Sequence, residues 1–438
     1  MRVAELARRL GTSSSSTEEI HGFAVDSRKV LPGFVFFALP GSAVDGHDFV
    51  EEALIKGAVC VIVARAIAGG KACIVVPDVL QALQKLAKDV WEEQRSLCIA
   101  VTGSVGKTTT KEFLATLLEG KFSVEKTPGN ANSQTGLPLA ILHRKQKTEI
   151  FVAEMGMSRK GEIASLVSMI PPDIAVITKI ACAHALYFPR GVEEIAEAKA
   201  EILSHPRTQK VVLHAQTRSF PAFSSVPGLF YAKEGDAHGK PGDVWLSWEG
   251  NRLRIKAGEE ESPWIVLPFQ AKHLAENFAA AALVARHLGM SWEEICQRAQ
   301  VLSPYRMRFE RVDRDGITYI NDAYNANPES MKAALENLPR PQEGGRVIAV
   351  LGEMRELGTF TEEAHEEVGR WAASYADMLL CLGEQTLPMK KVFTHGGKKA
   401  CLYTSLEEIK QALQNEVRVG DVVLLKGSNS LGLWKLLE

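Results

Sequence analysis

Thr102-Gly-Ser-Val-Gly-Lys-Thr-Thr-Thr110 follows the apolar run Leu97–Val101 and opens a helix-like stretch, Lys107–Leu118. A strand that feeds a glycine turn and then a helix is the opening of a parallel α/β unit. Backbone N–H groups of such a turn, together with the helix N-terminus, cradle phosphate oxygens. Lys107 then meets the β and γ phosphates and the Thr108 hydroxyl meets Mg²⁺. Gly103, Ser104, Val105, Gly106, Lys107, Thr108 and Thr109 are therefore candidate phosphate contacts. The spacing is shorter than in the common G-x-x-x-x-G-K-[ST] pattern, since only Ser104 and Val105 separate the glycines. The bland alternative is a glycine-rich turn with a surface lysine. The coincidence of strand, turn, Lys-Thr and helix weighs against it.

Outward from this loop the chain of 438 residues divides into three regions, 1–85, 86–302 and 303–438, in keeping with roughly 100–200 residues per domain. The first has short apolar runs at Val35–Leu39 and Ala58–Val63. The second adds strands at Ile150–Ala153 and Ile174–Ile177 and helices at Val192–Leu203 and Leu274–Leu288. Between those helices Val244–Trp248 and Arg252–Lys256 flank Glu249-Gly250-Asn251, a hairpin in an antiparallel insertion. The third alternates strand Ile317–Ile320, helix Glu329–Leu338, strand Val347–Leu351, helix Glu362–Ala376 and strand Val422–Leu425. Strands alternating with helices imply parallel sheets with crossover helices, so the fold class is α/β in three domains.

Composition excludes several classes. Lys+Arg of 51 against Asp+Glu of 53 gives a net charge of -2, no support for a nucleic-acid binder. A hydrophobic share of 46% and a charged share of 24% suit a globular chain rather than a disordered one. Met1–Leu10 reads as a short amphipathic helix rather than a secretory signal, and no apolar run is long enough to span a bilayer. The seven cysteines include no Cys-x-x-Cys pair, which fits reduced thiols in a cytoplasmic compartment and argues against a zinc site.

Ligands of open parallel sheets bind beyond the carboxyl ends of the strands. Glu154 ends the run Ile150–Ala153, and His184 lies in the loop after Ile174–Ile177. Beside a triphosphate they are reasonable Mg²⁺ or substrate contacts; alone, each reads more readily as a solvated or hydrogen-bonded loop residue, and sharing a sheet edge with the phosphate loop raises both. Lys199 shares a helical stripe with Val192, Ile195 and Ile202, an awkward place for a charge. Periodicity alone favours a stem that covers apolar surface while the amine reaches out to water. In the third region Asn327 as N-cap with Pro328 behind it explains part of Asn321-Asp-Ala-Tyr-Asn-Ala-Asn-Pro328. It leaves Asp322, Tyr324 and Asn325 unexplained. Glu353 and Lys426 also end strands, and two sheets with polar strand ends imply a cleft between them.

At this point the chain resembles the Mur ligases of peptidoglycan synthesis along nearly its whole length. The resemblance rests on Asp26-Ser-Arg28, Pro32-Gly33, Asp45-Gly-His47, the loop Thr102–Thr109, Thr127-Pro-Gly-Asn-Ala-Asn132, Gly136-Leu-Pro138, Glu154-Met-Gly156, Ala183-His184 and Ala198-Lys199. Tyr324-Asn-Ala-Asn-Pro328 and Leu351-Gly-Glu-Met-Arg-Glu-Leu-Gly358 point to the members that add a terminal dipeptide. The Asp-Asn-Pro-Arg string of the diamino-acid-adding members is absent. The resemblance implies a uridine-nucleotide domain, a central ATPase domain and a Rossmann-like C-terminal domain. It implies ATP-driven joining of D-alanyl-D-alanine to UDP-N-acetylmuramoyl-tripeptide through an acyl phosphate, by a cytoplasmic bacterial monomer acting on small molecules and not on nucleic acid.

It also implies roles. Lys107, Glu154, His184 and Lys199 form the catalytic set. Thr108 and Glu154 hold one Mg²⁺, and His184 and a carbamylated Lys199 serve a second. Asn277 meets the adenine, while Arg308, Asp322 and Tyr324 reach the nucleotide. Ser27, Arg28, Asn130, Asn132, Asn325 and Asn327 contact substrate. The chain departs from the family at Met307, where a glycine is usual before the arginine, at Leu274, where His-Asn is usual, and at Asn429 and Ala185-Leu-Tyr187. Two rivals are weaker. A folylpolyglutamate synthase lacks the uridine-type first domain, and a phosphate-loop switch ATPase leaves Asp322–Pro328 unexplained.

Overall fold

The computed structural model describes residues 1–41, 44–67, 73–183 and 185–438. Its strands form three sheets in chain order. The first holds Gly22–Ala24, Phe34–Phe37, Cys60–Val63 and Cys73–Val75, all parallel and neighbours in sequence order. The first three are buried nearly throughout, as strands covered on both faces must be, while the edge strand Cys73–Val75 leaves Val75 exposed. The helix Val79–Glu93, capped by Asp78, buries Val79, Leu83 and Leu86 under this sheet and Ala87 and Trp91 against the next.

The second sheet positions the phosphate loop. Leu97–Thr102 lies between Ile150–Glu154 and Ile174–Ile177, and all three run parallel. Neither neighbour follows it directly in sequence, so crossovers leave it to both sides and a crevice opens at its carboxyl end. Val124–Lys126 closes one edge. On the other side Lys210–His214, Leu229–Lys233 and Val244–Glu249 extend the parallel sheet. The expected hairpin is present as Val244–Glu249 with Arg252–Ala257, and Gly250 at φ +60° makes its turn. It prolongs the parallel sheet rather than standing apart from it. The helix expected over Val192–Leu203 is α-helical to Ala200 and then tightens to a 3-10 turn over Glu201–Leu203.

In the third sheet the order is Glu310–Arg314, Ile317–Asn321, Val422–Lys426, Val347–Gly352, Met378–Leu382 and Lys399–Tyr403. Only Glu310–Arg314 is antiparallel to its neighbour. That strand, Glu-Arg-Val-Asp-Arg, has no apolar alternation to announce it; it forms because an exposed edge tolerates charge. Pro328 opens the helix that follows Ile317–Asn321, and Asn327 caps it by accepting the N–H of Ser330, as expected. No helix among the described residues is long and apolar enough to cross a membrane.

Candidate active site

Two glycines shape the loop after Leu97–Thr102. Gly103 has φ +146° and Gly106 has φ +86°, and a Cβ on either would run into Thr178 or Asn277. The Thr178 hydroxyl sits where that Cβ would go and donates to Val105 O at 2.6 Å. Ser104 is tied down by its N–H to Lys179 O and its hydroxyl to Ala181 O, both at 2.8 Å. The loop is thus preformed, with the helix Lys107–Leu118 starting behind it.

Around Thr108 three segments meet. Its hydroxyl donates to Glu154 Oε2 at 2.9 Å. Asn132 Nδ2 donates to the other carboxylate oxygen at 2.8 Å, and Arg308 Nη2 donates to Thr108 Oγ1 at 3.2 Å. Arg308 comes from the third region, and its guanidinium lies 3.8 Å from the ring centroid of Tyr324. Lys107 Nζ donates to Gly103 O at 2.8 Å. Burial lowers its pKa; Glu154 works against this and Arg308 with it.

Behind this cluster lies a lysine the sequence reading passed over. Lys111 is fully buried, with Nζ donating to Thr127 O at 2.8 Å and Gly129 O at 2.6 Å and standing 3.7 Å from Glu154 Oε2. It fixes the segment that carries Asn130 and Asn132.

Lys199 is 2% exposed, so its amine does not reach out to water as periodicity alone favoured. Its amine makes no hydrogen bond or ion pair among the described residues. Burial first, and the charge of Lys107 second, hold its pKa well below the ordinary lysine value, with Glu154 opposing. It lines a cavity with Lys107, Asn130, Asn132, Glu154 and Tyr324. His184 lies outside the described residues.

A second cavity shares Ser104, Arg308 and Asn325 with the first and runs past Val105, Gly106, Thr109, Asn277, Asp322 and Asn327. Asp322 accepts from Phe309 N at 3.0 Å and from Lys426 Nζ at 2.6 Å. Lys426, flagged as a polar strand end, is buried; burial lowers its pKa and Asp322 opposes this. The far wall was not foreseen. Lys179 Nζ pairs with Glu276 Oε2 at 2.8 Å, beside His214 and Tyr231. Burial pushes the His214 pKa down to about 4. Lys179 and His214 each lie at the carboxyl end of a parallel strand, so the rule that found Glu154 also reaches them once Lys210–His214 is known to be a strand.

Ser27 and Arg28 line neither cavity. Ser27 Oγ donates to Glu52 Oε2 at 2.9 Å, and the exposed Arg28 forks onto Asp26 at 2.8 and 2.9 Å. Among the described residues no group of three or more His, Cys, Asp or Glu could hold a metal. A hydroxyl beside one carboxylate suits Mg²⁺, which keeps water and substrate oxygens in its shell.

Three segments match models of protein families: residues 19–91 the Mur ligase family, catalytic domain; residues 101–285 the Mur ligase middle domain; and residues 307–429 the Mur ligase, glutamate ligase domain. The UDP-N-acetylmuramoyl-tripeptide–D-alanyl-D-alanine ligase of Bacillus subtilis (strain 168) is 34% identical, covering 100% of this chain and 96% of its own. Among solved structures, a MurF ligase from Thermotoga maritima in complex with ADP is 32% identical with a TM-score of 0.79, covering 95% of this chain and 96% of its own. MurF from Acinetobacter baumannii is 27% identical with a TM-score of 0.85, covering 100% and 98%.

Proposed function

The chain belongs to the Mur ligase family, and from that premise we propose that it joins D-alanyl-D-alanine to UDP-N-acetylmuramoyl-tripeptide in an ATP-driven reaction. The observation that carries this reading is the contact of Arg308 with Thr108. It makes the third region part of the phosphate site, which a phosphate-loop switch does not require. The three regions, 1–85, 86–302 and 303–438, then hold the uridine nucleotide, ATP and the closing face of the site.

A carboxylate is a poor electrophile at neutral pH. Transfer of the γ-phosphoryl group to the tripeptide carboxylate makes an acyl phosphate; the dipeptide amine attacks its carbonyl carbon, loses a proton and expels phosphate. The backbone amides of Gly103–Lys107 hold the β and γ phosphates at the helix start. Lys107 leaves Gly103 O for phosphate, a small displacement for a flexible stem. Arg308 adds a second cation from the opposite side, and its stacking on Tyr324 fixes its direction. Asn130 and Asn132, held by Lys111, and Asn325 face the acceptor. Asn327, Asp322 and Asn277 line the nucleotide's path. Ser27 and Arg28 take the uridine end.

Thr108 and Glu154 would hold one Mg²⁺, and His184 and Lys199 a second. Mg²⁺, when bound, neutralises charge on the transferring phosphoryl group. Lys199 fits that task only as an anion. Its buried amine, whose pKa burial lowers, would add to CO₂ and lose a proton, giving a carbamate. The working form is a cytoplasmic monomer.

The test is phosphate release with ATP, Mg²⁺ and UDP-N-acetylmuramoyl-tripeptide, with and without D-alanyl-D-alanine, and the product's mass. Release that needs both substrates and yields the pentapeptide supports the ligase; release indifferent to both sinks it. For the carbamate, Lys199→Ala should be inactive and recover in part with short carboxylic acids. Full activity of that variant without additive removes the carbamate from the mechanism.

A further inference from the structure

The helix Gly136–Leu142 has no task in the mechanism above, yet it touches both ends of the path that the UDP-linked substrate must follow. It starts just after Asn132 and Gln134, which line the cavity with Lys107 and Glu154. Gln84 Nε2, from the helix Val79–Glu93, donates to Gln134 O at 3.2 Å and Oε1 at 3.0 Å and holds this end. The other end leaves the second region: Leu139 and Leu142 pack on the core of the first sheet. His143, directly behind them, is half-buried, and its Nε2 accepts the backbone N–H of Phe23 at 3.1 Å. Its ring lies against Phe23 and Phe34, with centroids 6.1 and 6.2 Å away. Burial lowers the His143 pKa, with the Leu139 carbonyl opposing, so Nε2 is free to accept at neutral pH. Phe23 belongs to Gly22–Ala24, an edge of the first sheet, and among the described residues no strand lies on that side to compete for its N–H. Past Val25 and Asp26 the same strand leads to Ser27 and Arg28.

The helix is thus fixed at its start to the cavity where the mechanism puts the reacting carboxylate, and at its end to the strand that delivers the uridine contacts. Its 7 residues make a stiff rod of about 10 Å. A substrate that runs from one end to the other must match the separation this rod sets. We propose that Gly136–Leu142 is the spacer between the two ends of the UDP-substrate site, and that His143 is its positioning residue, gripping the first region by the backbone of Phe23. His143 touches no substrate; it acts through Phe23 on Ser27 and Arg28. Without the grip the first region takes up other placements, and only a fraction of molecules offers both ends at the right separation. Affinity for a ligand that needs both ends falls by that fraction, while a ligand that fills one end is unaffected. The inference rests on the reading of residues 1–85 as the uridine-nucleotide domain.

Calorimetry on the full chain tests it with two probes and no need for turnover: UDP-N-acetylmuramoyl-tripeptide, which reaches both ends, and UDP, titrated by competition, which reaches one. His143→Phe keeps a ring beside Phe23 and Phe34 but cannot accept the N–H. It should bind the UDP-tripeptide about three- to tenfold more weakly, the reach of one hydrogen bond, and UDP within about twofold of wild type. His143→Gln, whose Oε1 can take the Phe23 N–H, should restore most of the affinity. Gln84→Met frees the other end of the helix; it should weaken the UDP-tripeptide in the same way, and it serves if His143→Phe unfolds. Wild-type affinity for the UDP-tripeptide in both His143→Phe and Gln84→Met overturns the proposal. So does an equal loss for UDP, which would make His143 a prop of the first region alone. Failure of pentapeptide synthesis with the split between the two probes intact would instead remove the ligase reading and leave the spacer standing.

Discussion

At the phosphate end of the cleft the groups come mostly from one contiguous stretch, 102–110, joined by Glu154 and Arg308 at Thr108. At the far end Lys179, His214, Tyr231 and Glu276 come from four separate segments. The first end is built from backbone: glycines at positive φ and a helix start, which act on any phosphate. The second is built from side chains that only the sheet and a packed helix bring together. The two ends thus depend on different levels of structure, and variants at them should fail differently.

The sharpest separation is expected from Lys107→Met. The loop backbone survives, but the cation beside the transferring phosphoryl group is gone. Turnover should fall by about 10²–10³-fold, the usual loss when one electrostatic stabiliser is removed, while the urea unfolding midpoint stays close to wild type. A near-normal rate of pentapeptide formation would take Lys107 out of the chemistry. A lowered midpoint would show that the lysine also holds the loop together.

Of comparable size is Asp322→Asn, where the ends join. Lys426 is buried against Asp322, which also holds Phe309 N. The amide keeps the shape but leaves a buried cation without its anion, and breaking such a pair costs about 3–5 kcal/mol. Urea unfolding should register the loss, and a midpoint equal to wild type would mean that Lys426 is neutral in the fold.

His214 gives the far end a pH signature that the glycine loop lacks. Burial holds its pKa at about 4, against an ordinary 6.5. The unfolded chain therefore takes up its proton first as pH falls. The stability that His214 contributes is complete above pH 6.5 and drains away towards pH 4. The full loss is about 3 kcal/mol, and about 2 kcal/mol of it is gone by pH 5. Unfolding midpoints at pH 7 and pH 5 should differ by less in His214→Gln than in wild type. An equal difference would assign the acid sensitivity to other groups.

The same contrast explains what could be read in advance. The phosphate loop, the strands beside it and the cap at Asn327 were legible because each is local: glycine placement, apolar runs and capping residues all act within a few positions. Glu154 and Lys426 were legible by position, as polar ends of apolar runs. The Lys179–Glu276 pair was not, since nothing in sequence brings positions 179 and 276 together; a crossover sheet and a packed helix do that. Lys199 was noticed as an inward lysine, yet periodicity favoured an amine reaching water where the structure buries it, because only the neighbouring helices and loops settle whether a long stem has an exit. Glu310–Arg314 was missed for the opposite reason: an edge strand needs no apolar signature.

The smallest effect concerns the arm that ties the ends together. Arg308 reaches Thr108, while Phe309 sets its ring edge-on to His273 on the far side, with centroids 4.8 Å apart. Met307 and Phe309, on either side of Arg308, hold φ at +59° and +58° without being glycine. In the loop the same backbone region is occupied by Gly106. A side chain there costs about 1–2 kcal/mol, whereas glycine adds about 0.4–1 kcal/mol of conformational freedom to the unfolded chain. Met307 is half-buried, so some packing is also lost. Strain relief should still exceed these terms by about 0.5 kcal/mol, and Met307→Gly should unfold at slightly higher urea than wild type. Gly106→Ala, which drives a methyl into Asn277, should move the opposite way. If Met307→Gly is the less stable protein, the methionine side chain braces the arm more than its backbone strains it, and the link between the ends depends on side-chain packing as much as the far wall does.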